Sequence, residues 1–255
     1  MTQLMASIAA NPKALLASVS TIISPGDTMI NNRNPSSVNH YYECGADATG
    51  KICGILSTLG LGEPASILDF ACGYGRVARF MRAAFPNAEI YVSDLPEEAT
   101  RFCAEHFGAV AFPSRADIST LVAPKKFSLI WCGSLLTHLD ELGAAELLRF
   151  FSRSLADDGV AVFTSCGRRT ASFVQKGRWP YQLNEEQMRF LHDQFLIERY
   201  ALVAQGKRAD YGISITPLSW FAKQIRELEN VRLVSMIESG WDNHQDIVAI
   251  QKRGI

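Results

Sequence analysis

The stretch from residue 65 to residue 84 limits the fold more than any other part of the chain, because it joins three different local patterns. Residues 65–70 form a short, largely apolar run that is typical of a buried strand in a parallel sheet. Gly73 and Gly75 predict a tight turn that leaves no side chain between the backbone and a ligand. Apolar residues then recur at helical spacing until Pro86. This order predicts a ligand site at the helix start, where unpaired backbone N–H groups can donate hydrogen bonds.

Two kinds of ligand fit such a turn. The pattern Gly73-x-Gly75-x-x-Ala78, with Asp94 further on, matches the fingerprint of dinucleotide-binding proteins. Asp69 argues for the other ligand, because a carboxylate at the end of the predicted strand would repel a pyrophosphate. S-adenosylmethionine has no phosphate and carries an ammonium and a sulfonium group, which an acid attracts. The residues favour S-adenosylmethionine and leave a dinucleotide as the alternative.

The run that contains these glycines resembles the first motif of the class I S-adenosylmethionine-dependent methyltransferases, an acid followed by alternating glycines. Here the motif reads Asp69-x-Ala71-x-Gly73-x-Gly75, with alanine in place of the first glycine. The resemblance extends by pattern from about residue 27 to the C-terminus. It implies a doubly wound, Rossmann-like α/β fold with a mostly parallel seven-stranded sheet and an antiparallel C-terminal strand. It also implies methyl transfer from S-adenosylmethionine, with S-adenosylhomocysteine as the product.

The resemblance further implies that the cofactor contacts the glycine turn and the residues that follow neighbouring strands. Asp94 is expected to accept both ribose hydroxyls, although Pro96 after it would also allow a helix N-cap. Asp117 is expected either to meet the adenine amino group or to cap a turn. The ring of Tyr41, Tyr42 or Tyr74 could attract the sulfonium by a cation–π interaction. The predicted cofactor residues are Tyr41, Asp69, Ala71, Cys72, Gly73, Tyr74, Gly75, Arg76, Asp94, Leu95, Asp117, Ile118, Cys132, Gly133 and Ser134.

Two residues are predicted to take part in the chemistry. His138 follows the fourth predicted strand, and ligands of open α/β sheets lie beyond the carboxyl ends of strands. We predict His138 as a general base and Tyr211 as a second candidate, with a merely packed or solvent-exposed histidine as the alternative. No metal site is predicted, because the six cysteines form no Cys-x-x-Cys pair and the histidine spacing does not suggest zinc.

The chain is expected to comprise an N-terminal helical or flap region, residues 1–64, and a methyltransferase domain, residues 65–255. Within residues 1–64 we predict one helix over 12–23 and another over 46–59. The polar stretch 27–42 between them is interpreted either as a surface loop or as a flap over the cofactor.

Residues 168–215 interrupt the alternation of strands and helices after the fifth strand. Eight basic and four acidic residues give 168–208 a net charge of +4, and the aromatic residues include Trp179, Tyr181 and Tyr200. We predict a substrate cap that begins its main helix at Asn184, with a charged, solvated excursion as the alternative.

The C-terminal region is predicted to close the sheet with a hairpin. Thr216 and Pro217 predict a helix start. Strands over 231–237 and 246–251 are joined by a short turn, so they must be antiparallel. His244 in that turn is interpreted as structural, with the turn tip facing away from the cofactor edge.

Composition limits the partners. The net charge of −1 gives no global field for nucleic acid or an anionic membrane, and no apolar run has the length of a membrane span. No basic region precedes the mildly apolar N-terminus, so we predict a cytoplasmic protein with reduced cysteines rather than a secreted one. The expected acceptor is a small molecule, anionic or carbohydrate-like, methylated on oxygen or nitrogen. No oligomeric state is predicted.

Two other functions remain open from the sequence. An NAD(P)-dependent oxidoreductase on a Rossmann domain is opposed by Asp69, by the antiparallel last strand and by the lack of a Tyr-x-x-x-Lys pair. A homologue that binds the cofactor without turnover is not excluded by any residue.

Overall fold

The computed structural model describes residues 3–31, 34–178, 182–205, 209 and 211–253. It divides into two compact units, one of residues 1–116 and 123–132, the other of residues 117–122 and 133–255. Seven residues of the predicted cap, 179–181, 206–208 and 210, lie outside the described part, among them Trp179, Tyr181, Lys207 and Arg208.

The first unit contains the start of the sheet and the helices before and between its strands. Its elements are α1 (Gln3–Ala10), a 3-10 helix (Pro12–Ala17), α2 (Pro35–Thr58), β1 (Ser66–Phe70), α3 (Ala78–Ala84), β2 (Glu89–Ser93), α4 (Glu97–Phe107), β3 (Val110–Ala111) and β4 (Phe127–Cys132).

The second unit contains the rest of the sheet and the inserted segment. Its elements are a 3-10 helix (Ile118–Thr120), a 3-10 helix (Leu136–His138), α5 (Glu141–Ser154), β5 (Leu155–Cys166), α6 (Arg168–Gln175), α7 (Glu185–Leu196), β6 (Ala201–Ala204), β7 (Gly212–Ile215), α8 (Leu218–Glu227), β8 (Val231–Trp241) and β9 (Gln245–Lys252).

Seven strands form one sheet in the order β3-β2-β1-β4-β5-β9-β8. The pairs β1–β2, β1–β4 and β2–β3 are parallel, whereas β9 is antiparallel to both β5 and β8. Every residue of β1 is buried, as the apolar run predicted for a strand covered on both faces. The predicted mostly parallel sheet with an antiparallel C-terminal strand is confirmed.

The turn between β8 and β9 lies at the opposite end of the strands from the one we predicted. Cys166, the last residue of β5, pairs with Gln245, the first residue of β9. The turn that contains His244 therefore lies at the carboxyl end of β5, which is the end where ligands of such sheets bind. The helix that precedes this hairpin, α8, begins after Pro217 rather than at it.

The N-terminal helices differ from the prediction. The predicted helix over 12–23 is replaced by α1, which ends before Asn11, and by the short 3-10 helix from Pro12. The second helix begins at Pro35 instead of Ala46, because the Asn34 side chain accepts a hydrogen bond from the Ser36 N–H and proline suits the first helical turn. Half of the expected polar loop is therefore helical.

The described residues of the inserted segment pack around an apolar cluster of their own. The capping box of Asn184 and Gln187 begins α7 as predicted. The small antiparallel sheet of β6 and β7 was not predicted. Leu191 of α7 is fully buried, and Val203 and Ile213 of the two strands share its apolar cluster.

Among the residues that the structure describes, no helix combines the length and apolar character needed to cross a bilayer. All six cysteines are buried, and none of them forms a disulfide.

Candidate functional site

The glycine loop, residues 71–75, follows β1 and is held by backbone hydrogen bonds. The N–H groups of Ala71 and Cys72 donate to the Ser93 carbonyl at the end of β2, over 2.8 and 3.2 Å. Gly75 in turn donates to the Cys72 carbonyl over 3.0 Å. The loop is thus attached to the carboxyl ends of two neighbouring strands.

The two predicted glycines have different roles in this loop. A Cβ atom on Gly73 would meet no atom within 4 Å, so this side of the loop is open. A Cβ atom on Gly75 would lie 2.5 Å from the Phe107 ring and 2.9 Å from the Cys103 sulfur. Gly73 leaves room for a ligand, whereas Gly75 allows close packing of the loop on α4.

Asp94 faces the loop. One carboxylate oxygen accepts a hydrogen bond from the Gly73 N–H and the other from the Leu95 N–H, each over 2.7 Å. The alternative role as a helix cap is wrong, because α4 has Pro96 at its N-cap and no side-chain cap there. Both oxygens keep a second lone pair, so the carboxylate can still accept ribose hydroxyls.

Asp69 is buried beneath the same loop, with 2% of its surface exposed. Burial, and next to it the negative charge of Asp94, raise the pKa of Asp69 well above its usual value, while Arg76 opposes the rise. Its Oδ2 atom has no hydrogen-bond partner within the described part of the chain. An orphaned acid oxygen, a second acid and an open glycine suit a cationic ligand with hydroxyl groups, and these residues therefore fit S-adenosylmethionine.

Ala71, which replaces the first glycine of the motif, has a φ angle of +60°. This left-handed conformation costs an alanine about 1–2 kcal/mol. Ala71→Gly is expected to raise the free energy of unfolding by roughly 0.5–1 kcal/mol, since the greater freedom of glycine in the unfolded chain offsets part of the relief. Chemical denaturation would measure it. Gly62→Ala is the control, since its Cβ meets nothing within 4 Å and its φ is not in this region.

Three predicted cofactor residues lie in other settings. Asp117, in the second unit, caps a 3-10 helix by accepting a hydrogen bond from the Ser119 N–H over 3.1 Å, which is the turn-capping alternative. Ile118 beside it is buried, with 7% exposed. Tyr41, in the first unit, is 1% exposed and donates its hydroxyl hydrogen to Asp27, so its ring lacks an open face for a sulfonium.

The residues that follow β4 are held by a buried polar network in the second unit. Ser134 has a φ angle of +64°, and its N–H donates to the Thr164 hydroxyl over 2.7 Å. Its own hydroxyl accepts a hydrogen bond from the Gln245 amide over 3.0 Å. Gln245 also contacts the His244 ring, and that ring donates to the Asp242 carbonyl over 2.7 Å. His244 is thus part of this hydrogen-bonded network, but its turn lies at the ligand end of β5, so its structural role stays a prediction.

His138 lies in the 3-10 helix that follows this loop. Its Nδ1 atom is 2.7 Å from the Gly212 carbonyl oxygen, so Nδ1 must be the protonated nitrogen. Burial lowers the pKa of the imidazole below its usual 6.5, which favours the neutral ring. A neutral ring with hydrogen on Nδ1 leaves a lone pair on Nε2, the atom that a general base uses. Tyr211 stacks on this ring with 5.2 Å between centroids and 17° between planes.

Two residues to which the sequence analysis gave no role beside His138 hold the His138 helix in place. The Tyr200 hydroxyl donates to the Leu139 carbonyl over 2.7 Å, and the Ser214 hydroxyl donates to the Leu136 carbonyl over 2.9 Å. Both come from the inserted segment, more than 60 residues away in the chain. No local pattern signals such contacts.

Asp246 at the start of β9 is fully buried, and burial raises its pKa from 3.8 to about 6. The folded state then holds the proton more tightly than the unfolded state. Stability is highest below about pH 4 as far as this group is concerned and falls as pH rises through 6. Asp246→Asn is expected to raise the free energy of unfolding at neutral pH by about 1–3 kcal/mol.

Denaturation of the wild type and of Asp246→Asn across pH 4 to 7 measures this effect. The variant should lose the fall in stability between about pH 4 and 6. The control is Asp193→Asn, an acid whose side chain is 61% exposed. Equal pH profiles for the wild type and Asp246→Asn would refute the assignment.

A family model described as a methyltransferase domain matches residues 44–201 of the chain. A malonyl-[acyl-carrier protein] O-methyltransferase from Pseudescherichia vulneris is 27% identical over 172 residues, which are 65% of this chain and 63% of that relative. The chain thus spans less than two thirds of the length of this curated relative.

Solved structures share the fold at low sequence identity. An S-adenosylmethionine-dependent methyltransferase from Clostridium acetobutylicum superposes with a TM-score of 0.57 at 13% identity, covering 84% of this chain and 92% of the other. The plantazolicin methyltransferase BpumL, solved with S-adenosylhomocysteine, gives a TM-score of 0.56 at 15% identity, covering 99% and 100%. The N-methyltransferase NodS from Bradyrhizobium japonicum gives 0.52 at 13% identity, again covering 99% and 100%. At these identities the likeness shows the fold alone.

Proposed function

We propose that this chain transfers the methyl group of S-adenosylmethionine to an oxygen atom of a small molecule. The chain belongs to the methyltransferase domain family and is a class I S-adenosylmethionine-dependent methyltransferase. The observation that supports cofactor binding most strongly is the glycine loop, open at Gly73 and flanked by Asp69 and Asp94. Two acids in this position disfavour a pyrophosphate, and the family match argues against the alternative of an NAD(P)-dependent oxidoreductase.

We assign the contacts with the cofactor to residues of the first unit. Asp94 would accept the ribose hydroxyls, and the open backbone at Gly73 would lie against the ligand. A bound cation would favour the charged form of Asp69, whose raised pKa otherwise favours the neutral acid, and the unpaired oxygen would then compensate positive charge. When bound, S-adenosylmethionine supplies a methyl group on a sulfonium, whose neutral leaving group requires little chemical assistance. The protein mainly has to orient the acceptor and exclude water.

Oxygen is favoured as the methylated atom because His138 has the properties of a general base. The Gly212 carbonyl fixes its tautomer, and the lowered pKa keeps Nε2 unprotonated at neutral pH. Such a nitrogen can accept the proton that a hydroxyl loses as it attacks the methyl carbon. The relative from Pseudescherichia vulneris is also named an O-methyltransferase.

The inserted segment is proposed to select the acceptor. Tyr200 and Ser214 connect it to the His138 helix, so its position and that of the candidate base are linked. Arg169 at the start of α6 favours an anionic acceptor, whereas Arg168 is already paired with Glu238 over 2.9 Å. The name of the curated relative gives a malonyl group on an acyl-carrier protein as the acceptor of that protein. Because a malonyl group has a free carboxylate, a carboxylate is the second acceptor class that we propose.

Two measurements test this proposal. Calorimetry with S-adenosylhomocysteine, and separately with NAD and NADP, should show binding of the sulfur nucleoside alone. Transfer of labelled methyl from S-adenosylmethionine is then measured on a panel of small hydroxyl compounds, carboxylates and amines. Transfer only to amines would reject the assignment to oxygen, and binding of a dinucleotide would reject the cofactor.

A further inference from the structure

Arg79 of α3 is a fully buried cation, with 1% of its surface exposed. Burying a charge costs several kcal/mol unless polar partners replace the lost water. The five N–H groups of the guanidinium are shared among six oxygen atoms at 2.9–3.5 Å, the carbonyls of Ser20, Ile22, Tyr74 and Gly75 and the hydroxyls of Tyr41 and Tyr42. Three rings also lie 4.8–5.6 Å from its central carbon, those of Tyr41, Tyr42 and Phe107.

Two of these bonds hold the glycine loop. Arg79 Nε donates to the Gly75 carbonyl over 3.1 Å, and one terminal nitrogen donates to the Tyr74 carbonyl over 3.4 Å. Because a peptide group is planar, fixing a carbonyl also fixes the N–H of the next residue. Arg79 therefore sets the orientation of two consecutive peptide groups in the loop.

The other bonds hold the segment that precedes α2, which we call the N-terminal segment, residues 20–27. Arg79 donates to the carbonyls of Ser20 and Ile22 over 3.1 and 2.9 Å. It also donates to the Tyr41 hydroxyl over 3.3 Å, and this hydroxyl donates to Asp27 over 2.7 Å. Asp27 is 7% exposed, so the Tyr41 hydroxyl connects a buried acid to Arg79 through two hydrogen bonds.

We propose that Arg79, Tyr41 and Asp27 form a clamp that couples the N-terminal segment to the glycine loop and thereby raises the affinity of the loop for its ligand. Arg79 is a positioning residue in this clamp, since it acts through the loop backbone. The inference rests on the proposed function, because it concerns the loop that binds S-adenosylmethionine. By linkage, a ligand that binds the ordered loop must also stabilise the N-terminal segment.

The variants are chosen to weaken the clamp without opening the core. Arg79→Lys would replace a planar fork of five N–H donors by an ammonium with three at a buried site and is expected to destabilise the fold. A loss of binding in that variant would not separate positioning of the loop from general stability. Tyr41→Phe keeps the ring and removes only the hydroxyl between Asp27 and Arg79. Asp27→Asn keeps the shape and removes the charge. Each is expected to raise the Kd for S-adenosylhomocysteine about threefold or more, the effect of one hydrogen bond.

A matched control and a second readout separate positioning from general stability. Ser128→Ala removes the hydroxyl that links the amino ends of β1 and β4, over 2.9 Å to the Ser66 carbonyl, and should leave the Kd unchanged. Amide hydrogen exchange of residues 20–27 is measured with and without S-adenosylhomocysteine. The ligand should slow exchange there in the wild type and in Ser128→Ala, and much less in Tyr41→Phe.

The outcomes separate the two proposals. If the wild type binds S-adenosylhomocysteine and both clamp variants bind it with the same Kd, the clamp alone is overturned. The same holds if the wild type binds the ligand but hydrogen exchange over residues 20–27 does not depend on it. No binding of S-adenosylhomocysteine by the wild type would overturn the proposed function and the clamp with it. The double variant Tyr41→Phe/Asp27→Asn should have a Kd for S-adenosylhomocysteine no higher than that of the single variant with the higher Kd, because both changes break the same link.

Discussion

His138→Gln is expected to lower kcat by about a hundredfold or more with a hydroxyl acceptor, which is the usual contribution of a general base. Glutamine has a similar size and can still donate a hydrogen bond to the Gly212 carbonyl, but its amide cannot take up a proton. The Kd for S-adenosylhomocysteine should stay unchanged. Steady-state kinetics with the best acceptor of the panel, together with calorimetry, measure both quantities.

The pH profile adds a second test of this role. Because burial lowers the pKa of His138 below 6.5, wild-type kcat should rise with pH along a limb below that value and then level off. The limb should disappear in His138→Gln. His192→Gln, on α7 in the same unit, is the control and should keep it. A loss of less than about tenfold would exclude His138 as the base and would favour a carboxylate acceptor, which has no proton to lose.

Asp94→Ala is expected to raise the Kd for S-adenosylhomocysteine roughly tenfold or more, because hydrogen bonds to a charged acceptor contribute about 1.5–3 kcal/mol. The variant also loses the bond from the Gly73 N–H, so the loop itself would be less ordered. Calorimetry on the purified variant measures the change.

A modified ligand distinguishes ribose recognition from loop order. If Asp94 binds the ribose, the wild type should prefer S-adenosylhomocysteine over its 2′-deoxy analogue, and Asp94→Ala should lose this preference. Asn184→Ala, which removes the cap of α7, is the control for a general loss of stability. An unchanged Kd in Asp94→Ala would reject the ribose assignment.

Local pattern was sufficient for the parts of the molecule in which neighbouring residues decide the structure. The apolar run, the glycines and the helical spacing predicted β1, its loop and α3. The short turn before β9 required an antiparallel strand, and the structure has one. Asp94 was also placed correctly at the end of β2, since strand and loop are adjacent in the sequence there.

Long-range contacts were beyond the reach of such patterns. The partner of His138 is a carbonyl 74 residues away, and backbone carbonyls have no sequence signature. The sequence analysis gave Arg79 no role, and only the folded chain brings Ser20 and Tyr41 against it. The N-terminal boundary of α2 was misplaced for another reason: Asn34 and Pro35 were interpreted as turn residues, although they are also a strong helix start.

The position of β9 has a consequence for how the chain is made. This strand follows every other strand in the sequence, yet it lies between β5 and β8 inside the sheet. Until the ribosome has released it, β5 lacks its partner along seven paired residues, 160–166, and all of them are buried in the finished protein. An exposed apolar strand edge of this kind readily pairs with other chains. Folding of the second unit must therefore wait until β9 has been synthesised, and the nascent chain is expected to depend on chaperones during that interval.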